Sequence, residues 1–296
     1  MRARDAALAV VPQLCWGIAF PLAKPALVHF PPLMAMALAY AITALVVVPL
    51  VGFPRRTGWT RILPIALMAG SVQAALLFWG LARLPASTAM ILVQAQTPFA
   101  LLAAWAISGE RPSARAVLGI AVALAGVLIV AGAPELPGSL WPVLAILGCA
   151  LAWAIGQVLI GRLARDPGIV VTGGVALHSA WQLAFASLLL ETGQREVLGS
   201  ASVSHWALLV ALALIGFVLA YTVWYGLLAR LRIDQVIPFT LLLPVITVAF
   251  AALVLGERPS AVTLGGCGVV LAGLAVIVLP KRRAPSAQFS SASSAR

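Results

Sequence analysis

Several stretches of about twenty residues in this 296-residue chain contain no charge. A helix of that length spans the hydrocarbon of a bilayer at about 1.5 Å per residue, with its backbone hydrogen bonds satisfied internally. Hydrophobic residues make up 62% of the chain and charged residues 9%, where a soluble domain carries roughly 25% charged. No soluble core hides that much apolar surface, so the chain reads as an all-α polytopic membrane protein. The first apolar run has no small-residue cleavage site before the next begins and is kept as a helix rather than a signal peptide. The net charge of +11 sits between the runs, which points to cytoplasmic loops and not to nucleic acid. Cys15, Cys149 and Cys267 lie inside apolar runs without CxxC spacing, so neither disulfides nor a metal site is expected.

A second feature divides the chain in two. Gly109-Glu110-Arg111-Pro112-Ser113-Ala114 recurs as Gly256-Glu257-Arg258-Pro259-Ser260-Ala261. Each copy follows an apolar run holding a proline (Pro98, Pro244) and precedes one with glycines at matching places: Gly119 and Gly126, then Gly266 and Gly273. This is an internal duplication. Ten spans are expected, at about 5–28, 33–52, 61–83, 86–107 and 113–131, then 141–162, 169–191, 205–230, 235–255 and 261–279. The units are thus residues 1–133 and 141–280, a linker at 134–140, and a disordered tail over 281–296. With the amino terminus inside, every Lys and Arg except Lys24, Arg83, Arg195 and Arg258 falls on the cytoplasmic side, which places both termini in the cytoplasm. Five spans per unit is an odd number, so the second unit enters the membrane inverted. Inverted repeats are a common frame for secondary transporters with a midplane site.

The proline in the fourth span of each unit, the Gly-Glu-Arg turn after it, the Gly-x6-Gly fifth span, and Trp16-Gly17 with Lys24 in the first span together resemble the drug/metabolite transporter superfamily. The likeness is to its ten-helix bacterial exporters with two EamA-type repeats, and it covers about residues 5–280. It implies a transporter of the bacterial inner membrane that exports amino acids or related metabolites, aromatic amino acids being favoured.

Neither lysine, Lys24 nor Lys281, follows a Gly-rich loop, so no ATP site is expected, and no GxSxG or HExxH motif supports an enzyme. No cofactor is implied. The eight acidic residues fall at or near span ends, which disfavours proton-coupled multidrug efflux through an intramembrane carboxylate. The polar residues at mid-depth are amides: Gln13, Gln73, Gln94, Gln96, Gln157 and Gln182, with His178 one turn before Gln182. Each amide alone is equally well explained as glue between helices, worth about 0.6 kcal/mol on average. Together they point to a polar-lined central cavity, with Trp16, Trp79, Trp153 and Tyr221 as apolar walls. Lys24 is expected to snorkel to water, or to attract an anionic group at the outer mouth. Glu110 and Glu257 are expected as helix caps, and Pro98 and Pro244 as bends in two gating helices. The glycine pairs give close packing, whether within one chain or across a homodimer.

Overall fold

The computed structural model describes residues 3–109, 113–133, 139–231 and 233–278. Glu110, the tail from 281 and most of the linker lie outside them. The described residues form ten apolar rods: α1 (Ala3–His29), α2 (Pro32–Val51), α3 (Trp59–Leu81), α4 (Ala86–Ala106), α5 (Ala114–Ala131), α6 (Trp141–Leu163), α7 (Gly168–Leu190), α8 (Val203–Leu228), α9 (Phe239–Val254) and α10 (Ala261–Ile277). The first eight are long and apolar enough to cross a membrane, and the last two are shorter. Their ends agree with the expected spans to within about four residues. A short surface helix, Gln194–Ser200, occupies the α7–α8 connection and was not anticipated.

Turn chemistry sets the boundaries. Pro31 and Pro85 stand immediately before α2 and α4, and α4 and α9 stop at glycines with positive φ, Gly109 (71°) and Gly256 (66°). That conformation costs glycine nothing and ends a helix cleanly. A 3-10 turn over Val93–Ala95 precedes Pro98, and another over Ile237–Leu241 precedes Pro244. Pro244 has no N–H to give the Thr240 carbonyl four residues before it. The side chain of Gln94, from the other unit, donates to that carbonyl at 2.8 Å.

The third rod of each unit carries a π-helical stretch, Leu67–Val72 in α3 and Leu212–Leu219 in α8. Such stretches widen the helix and disturb its hydrogen-bond ladder. The Trp16 indole N–H reaches one of the carbonyls there, Gly216 O, at 2.9 Å.

The units interlock through matched pairs of rods, with α2 along α7 and α5 along α10. The glycines expected to allow close approach do so within this chain. A methyl group on Gly273 would lie 2.3 Å from the Ala123 nitrogen, and one on Gly126 would lie 2.6 Å from the Val270 nitrogen. Connections between the units are clamped by carboxylates. The Glu191 oxygens accept from the Leu33 and Met34 amides at 2.8 and 3.0 Å, at the positive end of α2. Asp166 accepts from the Arg56 and Thr57 amides at 3.2 and 2.6 Å, and Thr57 Oγ1 accepts in return from the Arg165 and Asp166 amides. Burial pushes the Asp166 carboxyl up, but the Thr57 side chain, these amides and the Arg56 charge outweigh it, and its pKa lies below the ordinary value.

Candidate functional site

Six rods meet at the centre, and they are the first, third and fourth of each unit. Trp16 and Phe20 of α1, Gln73 and Leu77 of α3, and Val93 and Gln96 of α4 face Cys149 and Trp153 of α6, Tyr221 of α8 and Leu243 of α9 across a small cavity. Trp16 is its hub. Its ring centroid lies 5.8 Å from Trp153, 5.4 Å from Tyr221 and 6.4 Å from Phe20. Trp153 and Tyr221 also touch, at 5.6 Å. Gln73 donates weakly to Cys149 Sγ at 3.8 Å, while its buried Oε1 has no partner. Gln96 Nε2 donates to Gln94 Oε1 at 3.3 Å. The lining therefore consists of aromatic planes and amides, with no charged side chain among its residues.

Five expected residues thus converge on one cavity: Trp16, Gln73, Gln96, Trp153 and Tyr221. Gln94 stands behind them, bridging Gln96 to the Thr240 carbonyl. Gln13 and Gln157 are buried on α1 and α6 without lining the cavity, and both amide atoms of Gln13 and the Gln157 Oε1 are unpartnered. Three others lie elsewhere. Trp79 faces away from the centre, beneath the Arg83 guanidinium. His178 packs against Trp59 (5.2 Å) and accepts from the exposed Trp181 indole. Gln182 accepts a hydrogen bond from Ser71, joining α7 to α3. Conversely, Phe20, Leu77, Val93, Cys149 and Leu243 line the cavity and were not anticipated, since apolar residues in apolar rods carry no mark of the direction they face.

The cavity measures about 30 Å³, against roughly 300–1,000 Å³ for sites that hold small organic ligands. It is small in this structure, and an ion pair lies one helical turn beyond Phe20 of its lining. Lys24 donates to Glu257 Oε1 at 3.2 Å and to the Leu84 carbonyl at 2.9 Å. Glu257 also accepts from the Ala86 amide (2.6 Å), the Ser87 amide (3.0 Å) and the Ser87 hydroxyl (2.7 Å). One carboxylate thereby ties the α9–α10 turn to the end of α1 and the start of α4. The cap expected at Glu257 exists, but on α4 rather than on the helix that follows it in sequence. Lys24 is engaged rather than snorkelling: its side chain is 29% exposed and that of Glu257 13%. Burial raises the Glu257 pKa, but the Ser87 and Ala86 amides, the Ser87 hydroxyl and Lys24 together hold it below the ordinary value of 4.5.

The sequence carries the signature of the EamA-like transporter family twice, over residues 5–132 and 140–279. The chain is a member of the EamA-like transporter family. Two relatives align with it over nearly their whole length. A probable amino-acid metabolite efflux pump of Salmonella typhimurium strain LT2 is 29% identical over 98% of this chain and 100% of its own. A probable terminal-alkyne amino-acid exporter of Streptantibioticus cattleyicolor is 27% identical over 94% of this chain and 95% of its own. A protein of known crystal structure superposes with a TM-score of 0.69, covering 93% of this chain and 96% of its own at 22% identity, which shows the shared fold. This EamA-like chain is accordingly a multi-pass membrane protein of a transporter family.

Proposed function

We propose that the chain exports small metabolites across the bacterial plasma membrane, and that amino acids, aromatic ones above all, are its substrates. It works by alternating access, with the two five-helix units moving about the central cavity. The observation that carries this reading is the cavity itself: the same three helices of each unit build it, its walls are aromatic planes with a few amides, and an ion pair latches one end. Flat apolar walls suit an aromatic side chain, and the unpartnered Gln73 Oε1 suits an ammonium donor. The relatives named for amino-acid export support the substrate class. With both termini cytoplasmic, as the loop charges indicate, the Lys24–Glu257 latch lies on the outer face. The contracted cavity must then widen to admit substrate from the inside before that latch releases it.

Reconstituted liposomes test the proposal through counterflow of labelled tryptophan, phenylalanine, threonine and a lipophilic cation, with and without a pH gradient. Saturable amino-acid flux in the absence of the gradient is expected. Cation flux that requires the gradient, without amino-acid flux, would replace this reading with proton-coupled drug antiport.

A further inference from the structure

A second concavity lies away from the transport cavity. The ends of α2, α3, α6 and α7 on the Lys24 face enclose an open groove of about 1090 Å³. Its walls are apolar, formed by Leu33, Leu76, Leu144 and Leu190. From Arg83 at the lip, in the turn just past α3, to Ala75 at the floor is eight residues, or about 12 Å at helical rise, close to the depth of one hydrocarbon leaflet, about 15 Å. The groove therefore faces acyl chains along its length and the headgroup layer at its lip.

The lip is polar in one place. The Arg83 guanidinium stacks 4.0 Å over the Trp79 ring, and its Nη1 donates to the Trp79 carbonyl at 2.9 Å. These two contacts fix the fork and leave further N–H donors for a ligand. Among the described residues no carboxylate pairs with Arg83, whereas Lys24 on the same face is taken by Glu257. A guanidinium held this way matches a phosphate in geometry and charge. Trp141, 72% exposed across the lip, is an aromatic of the kind that sits at headgroup depth.

We propose that this groove binds one phospholipid, its acyl chain along the leucine walls and its phosphate on Arg83. A net-anionic headgroup is preferred, because no carboxylate among the described residues pairs with Arg83, and Glu191, the carboxylate next to the lining Leu33 and Leu190, is already occupied by the Leu33 and Met34 amides. Other residues of α3 and α6 line the transport cavity, so a lipid seated here braces two cavity-forming helices from behind.

The test is native mass spectrometry of the full chain after equilibration with equal amounts of dioleoyl phosphatidylglycerol and dioleoyl phosphatidylcholine. Wild type should retain one phosphatidylglycerol in preference. Arg83→Gln should lower that preference about tenfold, the effect of about 1.4 kcal/mol, while Arg83→Lys keeps part of it. Ala75→Phe, which fills the floor, should lose retention of both lipids with Arg83 intact. Unchanged retention and preference in both Arg83→Gln and Ala75→Phe would overturn the proposal. So would a homodimer whose cross-links place a second copy over Trp141 and Leu190.

Discussion

The chain has two kinds of carboxylate clamp, and they do different work. Asp166 and Glu191 join connections of one unit to those of the other through backbone amides around α2, α3 and α7. Glu257 does the same at the start of α4, but it also holds a lysine, and the segments it gathers belong to cavity-lining helices. The first kind fastens the frame, where motion would only unfold the protein. On the proposed mechanism, the second closes an end of the pathway. An ion pair part-exposed to water, at 29% and 13%, is a weak fastening, and weakness is what a gate requires.

This contrast is broken most severely at the frame. Asp166→Ala leaves the buried Thr57 amide and the part-buried Arg56 amide without their acceptor, and an unpaired buried group costs about 1–3 kcal/mol. A thermal-shift assay should show a clearly lowered midpoint, with substrate preference in liposomes unchanged. Glu257→Gln, which keeps the shape and one acceptor oxygen for the amides at the start of α4 while removing the charge, should lower the midpoint less. It should raise labelling of a cysteine placed at Phe20 from the latch side several-fold, since the ion pair no longer holds that end shut. If Glu257→Gln instead unfolds the protein while Asp166→Ala changes flux alone, the two roles are reversed.

Acidity sharpens the same comparison. Both carboxyls are held below their ordinary values of 3.8 and 4.5, so what each contributes is fully present above those values and is lost only as pH falls through the lowered ones. Latch-side labelling should therefore be flat from pH 8 down to about pH 5 and rise only under stronger acid. A rise centred near neutrality would assign gating to another group. Within the cavity, Gln73→Ala removes one hydrogen bond, worth about 1 kcal/mol, and should raise the KM for amino-acid counterflow about fivefold. The smallest effects belong to the perimeter: His178→Ala should change flux less than about twofold, because the ring packs on Trp59 and not on the cavity.

Much of the fold was legible because it is written in local chemistry. Charge-free runs and the duplicated Gly-Glu-Arg turn fix ten rods and their order. The glycine spacing of α5 and α10 announces a close contact, although only the structure shows the two helices meeting within one chain. Rotation was not legible. These rods are apolar around most of their circumference, so no polar stripe distinguishes the face toward the cavity from the face toward lipid. Trp16 and Trp79 look alike in sequence, yet one is the hub of the cavity and the other lies beneath Arg83. The π-helical stretches in α3 and α8 compound this by shifting the register midway along a rod. Long-range partners were equally hidden: Glu257 was expected to cap its own neighbourhood, and its ligands are about 170 residues earlier at Ala86 and Ser87.

The central claim is that the Lys24–Glu257 latch must open for each turnover. Cysteines at both positions, in a chain whose three native cysteines are replaced by serine or alanine and whose flux is first shown to be retained, can be joined by a short thiol cross-linker in liposomes. The account predicts that cross-linking arrests amino-acid counterflow and that a reducible linker restores it on reduction. Complete cross-linking with undiminished flux would contradict it.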